Sequence, residues 1–383
     1  MHPPTNGPHA ELLSIGSELL AGETVDTNAA FLGAALARLG IPLRSTRALP
    51  DDQAVISSAL AEARGRVPLV VATGGLGPTH DDLTREGLAD ALGETLEPDP
   101  RLEAQLRERF AAFGKMPEAN LRQVLRVPSA AALANPIGSA PGWWVDRDDV
   151  VVVLMPGVPS EMRRMWHEQV EPRLGARFDL RPVHAREVKT FGIGESALAE
   201  MVGDLLEAPG EGVEAGIYAH DDGVHLRFWT RGPAAALDAP VERARALPGE
   251  DVYGTDEEDL ATVTLRVLAA LGVRSLASVE AGTGGALLAI LAAAAPEPVR
   301  FVGGLLVADD DDASQPPAAD ATLRVRLLPI DARGRSRVEV SLSGVAILDH
   351  VQTRVHGSGP QRQRRAAFAA LDQVRRALRR DSY

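Results

Sequence analysis

The 383-residue sequence contains no cysteine. Disulfides, thiolate metal centres and cysteine nucleophiles are therefore excluded, and the redox compartment is left open. Lysine is almost missing too: Lys115 and Lys189 stand against 38 arginines. Any chemistry that needs a lysine is confined to those two positions. Long apolar runs are absent, and Ala286–Ala295, the longest, falls short of the ~20 residues that cross a bilayer. Met1–His9 is polar and Pro-rich with no signal-like apolar core, so a cytoplasmic, membrane-free protein is expected. Positive charge is scarce overall, the net charge being −13, and direct nucleic-acid binding is not expected, because such binding needs clustered cations that neutralise phosphates. One local exception is the last helix, where Arg362, Arg364, Arg365, Arg375, Arg376, Arg379 and Arg380 crowd together. Those arginines read first as a solvated or acid-paired face and second as an interaction patch.

What is present is a globular composition, 45% hydrophobic and 24% charged, long enough for two or three domains. The most informative stretch is Leu69–Thr84. Its apolar start, Leu69 to Ala72, has the character of a buried parallel strand, and Gly74, Gly75 and Gly77 then let the backbone turn. A helix is expected next, capped by Thr79 with Asp82 in a capping-box-like position, faced inward by Leu88, Ala91 and Leu92, and stopped by Gly93. Strand, glycine turn and helix start together present N–H groups to an anion such as a phosphate. Asp81 and Asp82 would repel that phosphate unless a divalent cation such as magnesium lay between them. The plainer alternative is that both aspartates merely favour a helix N-terminus.

Before this stretch, a strand at Glu11–Ile15, the turn Gly16-Ser17-Glu18, a helix from Thr27 to Leu39 capped by Asp26 or Thr27, a strand over Ile41–Leu49 and a helix to Arg64 capped by Asp51 or Asp52 alternate. Such alternation implies a parallel sheet covered on both faces, with ligands beyond the carboxyl ends of its strands. After it come a helix over Pro100–Phe113, an irregular passage Asn135–Gly142 able to cover a site, and a hairpin of Trp143–Val145 and Val150–Met155. Met155–Glu161 repeats the strand, glycine turn and helix start, with Pro159 near the first helical position. Two helix starts facing one cleft suit a diphosphate.

Beyond a boundary at Arg173–Pro182, the segments Glu187–Gly192, Glu195–Leu206, Val213–Tyr218, Gly223–Thr230 and Ala234–Ala246 read as a small α+β module without a catalytic constellation. His220 and His225, five apart at its hairpin, are expected at the surface and not as metal ligands. A third region follows with a helix at Leu260–Leu271, a strand at Arg274–Ser278, the turn Val279–Gly285, a helix at Ala286–Ala295, an acidic low-complexity run Asp309–Asp320, strands at Leu323–Leu328 and Val338–Val345, and a helix at Ala366–Leu378.

Six blocks in order, Ser14–Leu20, Thr27-Asn28, Thr73–Thr84, Asn135–Gly142, Pro156–Met162 and Phe191–Ser196, closely resemble the CinA family of competence/damage-inducible proteins. The resemblance runs from about Ala10 to Thr230. It implies an α/β chain with a doubly wound MoaB/MogA-like (molybdopterin-binding-like) domain over residues 10–175, a small α+β domain over 182–255 and a C-terminal α/β domain over 256–383. In CinA-like proteins the first domain is associated with divalent-metal-dependent hydrolysis of ADP-ribose to AMP and ribose 5-phosphate, and the family implies a homodimer. The C-terminal part resembles a nicotinamide mononucleotide deamidase whose Ala-Glu-Ser-Cys-Thr-Gly-Gly block supplies a serine nucleophile, helped by a lysine and a tyrosine. Here Ala281 replaces the serine and Gly282 the cysteine ahead of Thr283, both lysines lie before residue 190, and the family's later Thr-Gly-Ile-Ala-Gly-Pro block is missing. A methyl group cannot attack an amide, so this activity is expected to be lost.

The first functional expectation is thus a hydrolase of an ADP-ribose-like nucleotide diphosphate that uses Mg2+, Mn2+ or Co2+. Asp81 and Asp82 would hold the metal, with Glu18 as a further catalytic carboxylate. Gly16, Gly74, Gly75, Gly77, Pro78, Thr79, Gly138, Gly157 and Ser160 would border the diphosphate, and Asn28 and Asn135 would reach sugar or base, while Glu161 serves the substrate or a structural cap. Two other classes stand beside it: a protein that holds a pterin or nucleotide without turnover, and a scaffold with a protein partner in competence or recombination.

Overall fold

Strand β1 (Ala10–Ile15) is buried at every residue because it lies between two parallel neighbours, β2 (Leu43–Leu49) and β3 (Leu69–Thr73). A short antiparallel pair, β4 (Glu97–Pro98) and β5 (Leu125–Arg126), stands apart from this sheet. The main sheet continues with β6 (Ala131–Leu133), β7 (Gly142–Arg147) and β8 (Val150–Met155), giving the order β2-β1-β3-β8-β7-β6. Strand β8 runs parallel to β3, while β7 is antiparallel to both β8 and β6. The β7–β8 hairpin turns on Asp148 and Asp149 alone, both at positive φ, so Asp146 and Arg147 belong to the paired strand. These elements lie in the unit that ends at Val183; the chain divides there into two compact units. The computed structural model describes residues 8–111, 114, 116–294, 298–308, 315–344 and 348–380. Lys115, Phe113, Ala295, Val345, Tyr383 and the 309–314 part of the acidic run lie outside the described residues.

Burial on both faces follows from the alternation of side chains along each strand. Leu13, Val70, Ala72, Val152 and Leu154 pack on one side with Ile56, Leu60 and Leu88. Leu12, Val71, Val151 and Val153 pack on the other with Leu32, Leu36, Met162 and Trp166. Helix Thr27–Arg38 is capped by Asp26, whose Oδ1 accepts from Ala29 N–H at 2.8 Å, and helix Gln53–Arg64 by Asp52, whose Oδ1 accepts from Val55 N–H at 3.0 Å. Asp51 is thereby free for another task.

In the second unit, β9 (His184–Thr190), β10 (Val213–His220), β11 (Gly223–Thr230) and β12 (Val252–Thr255) form an antiparallel sheet of order β10-β11-β9-β12. The single expected helix Glu195–Leu206 is two, Glu195–Met201 and Gly203–Glu207, interrupted at Val202. Next come β13 (Ser275–Ala281), β14 (Arg300–Val307), β15 (Ala321–Ile330), β16 (Arg335–Ser343) and β17 (Leu348–His356), in the order β14-β13-β15-β16-β17. β13 is parallel to β14 and β15, and the last three strands form an antiparallel meander. Helices Leu260–Ala270 and Gly359–Arg380 contribute to the core against this sheet. Among the described residues no helix is long and apolar enough to cross a membrane.

The arginines of the last helix divide. Arg375 is fully buried and forks onto Asp372 Oδ1 (2.6 and 3.0 Å), with Val252 and Glu250 carbonyls as further acceptors. Arg376 takes Asp372 Oδ2 (2.6 Å), Asp251 Oδ1 (2.7 Å) and the Phe191 carbonyl (2.7 Å). At these two positions the acid-paired alternative holds.

Candidate active site

The parallel register puts Ile15, Thr73 and Met155 at one edge of the sheet, so the three segments that follow them emerge together. Gly74 sits at φ 98°, and a Cβ there would press into the Ile15 carbonyl oxygen. Gly75 sits at φ 62°, with Thr84 Oγ1 where a Cβ would fall. Only glycine makes this double turn without displacing the neighbouring strand or the loop's own closure. A Cβ added at Gly157 would meet Gly74 at ordinary contact distance, so the turns after β3 and β8 lie side by side. They border a cavity of about 460 Å3 with Gly16 and Glu18, Gly77 and Pro78, Asp81 and Asp82, and Glu161 on its walls.

Past the glycines the chain departs from the expected helix start. The helix begins at Thr84 with Leu83 before it, four residues later than a Thr79 cap requires. Thr84 donates its N–H to the Gly75 carbonyl (3.1 Å) and its hydroxyl to the Gly74 carbonyl (2.8 Å), closing the loop on itself. Thr79 is a donor: its N–H (2.8 Å) and hydroxyl (2.5 Å) both go to Asp82 Oδ2. The same hydroxyl and Asp81's own N–H hold the exposed Asp81 carboxyl below its ordinary value.

Two arginines that the sequence reading did not single out fix this loop from behind. Arg85 is fully buried and donates to the carbonyls of Leu76 (2.6 Å) and Gly77 (3.1 Å); burial pulls its pKa down from the usual guanidinium range. Arg122 donates to the Thr79 carbonyl (2.6 Å) and to Glu86 (2.8 Å). Asp51, released from capping, accepts from the Ser17 N–H (2.8 Å) and hydroxyl (2.9 Å) and so anchors the first turn at the cavity.

Five of the expected contact residues do not line the cavity. Asn28 is buried and donates Nδ2 to the Gly157 carbonyl (2.7 Å), leaving its Oδ1 without a partner. Asn135 is committed within its own loop: Nδ2 donates to the Ala140 carbonyl (2.8 Å) and Glu161 Oε2 (2.6 Å), and Oδ1 accepts from Gly138 N–H (2.8 Å). Both amide hydrogens of Asn135 are thus used in bracing this loop. Gly138 belongs to the same brace, Thr79 is turned to Asp82, and Ser160 is exposed at the start of helix Pro159–Met165. Ser139 and Gln123 line the cavity instead.

In the second unit, Ala281 ends β13 and Gly282 follows at φ 77°. Buried Glu280 accepts from the Thr283 hydroxyl (2.7 Å) and from the N–H groups of Leu287 (3.0 Å) and Leu288 (2.7 Å). The helix start that follows this turn is thus filled by the chain's own carboxylate. His225 contradicts its expected surface position: it is 5% exposed, because β11 is covered on both faces here.

Residues 11–176 match the family described as "Probable molybdopterin binding domain", and residues 185–254 match "Damage-inducible protein CinA KH domain". A CinA-like protein of Thermomicrobium roseum is 46% identical over 289 residues, covering 74% of this chain and 70% of the relative. One from Deinococcus deserti is 43% identical over 290 residues with the same coverage. Among solved structures, a protein CinA of unknown function from Thermoplasma acidophilum is 34% identical, covers 44% of this chain and 99% of its own, and has a TM-score of 0.42.

Proposed function

Because this chain belongs to the CinA family, we propose that its N-terminal cleft hydrolyses the diphosphate of ADP-ribose or a related nucleotide with a divalent cation, Mg2+, Mn2+ or Co2+. One observation carries this reading: the carboxylates of Glu18, Asp51, Asp81, Asp82 and Glu161 share a cavity whose backbone walls are glycine turns. Carboxylates by themselves repel a diphosphate, and a cation between the two reverses the sign of the interaction. The donor set fits a hard ion, since it is all oxygen, Asp81 is exposed, and the two Thr79 bonds to Asp82 both fall on Oδ2. Asp81 and Asp82 would hold the cation with Glu18 beside them, and when bound it would polarise a phosphoryl oxygen and supply an activated water. The Gly74–Gly77 turn would let the backbone approach the diphosphate closely; Arg85 bonds the carbonyls of that turn, and Arg122 holds Thr79 beyond it.

The test is a hydrolysis screen of ADP-ribose, NAD and related diphosphates with each metal, for the wild type and for Asp82→Ala and Asp81→Asn. Metal-dependent release of AMP by the wild type and its loss in the variants are expected; equal rates in all three proteins would end the reading. Retention of a pterin or nucleotide without turnover is favoured by one feature, the pre-existing bonds from Thr79 to Asp82. Tight binding with no product would select it. The homodimer that the family implies belongs to the same proposal, and light scattering of the purified chain checks it.

A further inference from the structure

At the β10–β11 hairpin, Tyr218 pairs with His225 and His220 pairs with Gly223. Side chains alternate along a strand, so His220 and His225 fall diagonally on the same face, and their rings stack with centroids 4.3 Å apart at 27°. The two-residue turn then folds Asp222 back over that face, its Oδ1 3.4 Å from His225 Nε2. One nitrogen from each histidine and one oxygen of Asp222 lie within 4.8 Å of one another. We infer that His220, Asp222 and His225 form a binding site for a borderline transition-metal ion, Zn2+ above all, separate from the diphosphate cleft.

Four physical features support this assignment. Two imidazoles and one carboxylate are the donor mix that Zn2+, Co2+ and Ni2+ take in preference to Mg2+ or Ca2+, which favour oxygen. The carboxylate is already oriented: Tyr253 donates its hydroxyl to Asp222 Oδ2 at 2.8 Å, leaving Oδ1 directed at the histidines. Glu187 Oε2 stands 3.9 Å from Nδ1 of His225, so a small side-chain shift would let it accept that N–H when Nε2, now 3.2 Å from the Tyr253 hydroxyl, turns to a metal. His225 is buried and supplies rigidity, whereas exposed His220 can swing its ring out of the stack and leave the remaining coordination positions to water. Without a metal, the same groups would form only a hydrogen-bonded brace of the hairpin, and the two readings differ in what His220 does.

The experiment uses the full chain carrying Asp81→Asn and Asp82→Asn, so that the N-terminal carboxylates do not contribute, stripped with chelator and titrated near neutral pH with Zn2+ by calorimetry and with Co2+ by visible absorption. One equivalent is expected, with Co2+ bands of the intensity that nitrogen ligation in a low-coordinate site gives, and with no competition from Mg2+ at comparable concentration. His220→Ala, at an exposed position that leaves the fold intact, is expected to weaken Zn2+ binding by well over tenfold, and Tyr253→Phe by about tenfold with the stoichiometry kept. Absence of a stoichiometric Zn2+ site, or binding that His220→Ala leaves unchanged while circular dichroism shows the fold retained, would overturn the assignment.

Discussion

Asp82 accepts two hydrogen bonds from one residue, Thr79, through the backbone N–H at 2.8 Å and the hydroxyl at 2.5 Å. The turn this closes is what the chain builds where a helix start was expected, and it gives Asp82 two separable tasks: shaping the loop, and holding a cation. Asp82→Ala removes both. It is expected to lower kcat/KM for the diphosphate by at least about a hundredfold, the usual loss for a group that stabilises transition-state charge. Thr79→Val keeps the N–H and deletes only the hydroxyl, so a loss of no more than about tenfold is expected. Steady-state kinetics on the two variants decides the matter. If both lose activity equally, Asp82 acts only as the loop's latch.

Glu11 is buried on the central strand and receives a forked pair of hydrogen bonds from Arg66, at 2.9 and 2.8 Å. Those bonds outweigh desolvation and lower its pKa below the ordinary 4.5. With the folded value depressed, the pair contributes stability in full above the unfolded value, and this is lost as pH falls through the folded one. Glu11→Gln is therefore expected to melt below the wild type at neutral pH, with the gap narrowing as the pH drops under 4.5 and closing when the wild-type carboxyl is protonated. Differential scanning fluorimetry across this range checks it; a gap that widens on acidification contradicts it.

Much of the candidate cleft was legible because its parts are local: Gly16–Glu18, Gly74–Asp82 and Pro156–Glu161 each announce a strand end and a turn, and a parallel sheet must bring them to one edge. Arg85 was not singled out, although it shares the stripe of Leu88, Ala89 and Leu92 at i, i+3, i+4 and i+7, the spacing of an inward face. A charged residue on an apolar stripe was the available signal. Asp372 and Arg375 repeat it beside Phe368 and Leu371. The burial of His225 depended on how β11 is covered by the chain around it, which spacing does not encode, and β14 and β17 were not anticipated. Asp51 could not be told from Asp52 as a cap, since either carboxylate reaches the same N–H groups in principle.

Asp372 is the shared acceptor of two arginines, and both it and Arg375 are shut off from water. Replacing one member of such a set leaves its partners' charge without compensation, which costs about 3–5 kcal/mol. Asp372→Asn is expected to destabilise the second unit by roughly 3 kcal/mol, read from the unit's transition in urea. An unchanged midpoint would mean that the carbonyls of Val252, Glu250 and Phe191 suffice for both guanidinium groups.

Glu280 and Ala281 decide whether the turn after β13 could catalyse amide hydrolysis. The Glu280 carboxylate fills the start of helix Ala286–Ala293, and Ala281 presents a methyl group at the position that the resemblance to a deamidase assigns to a serine. Ala281→Ser would restore an oxygen but not the lysine that the resemblance pairs with it. Lys189 is the only lysine beyond Val183, and its Nζ donates to the Glu258 carbonyl at 3.0 Å. A serine lacking a positioned base is a poor nucleophile. No ammonia is therefore expected from nicotinamide mononucleotide with either the wild type or Ala281→Ser, and a coupled ammonia assay that detected turnover by the variant would show that a base lies within reach. Glu280→Gln gives the complementary result: it replaces an acceptor of three hydrogen bonds by an amide, so a loss of about 2 kcal/mol in the stability of the second unit is expected, with no gain in deamidation. Should that variant instead be as stable as the wild type, the carboxylate would be dispensable to the turn, and the geometry at Ala281 would need another cause.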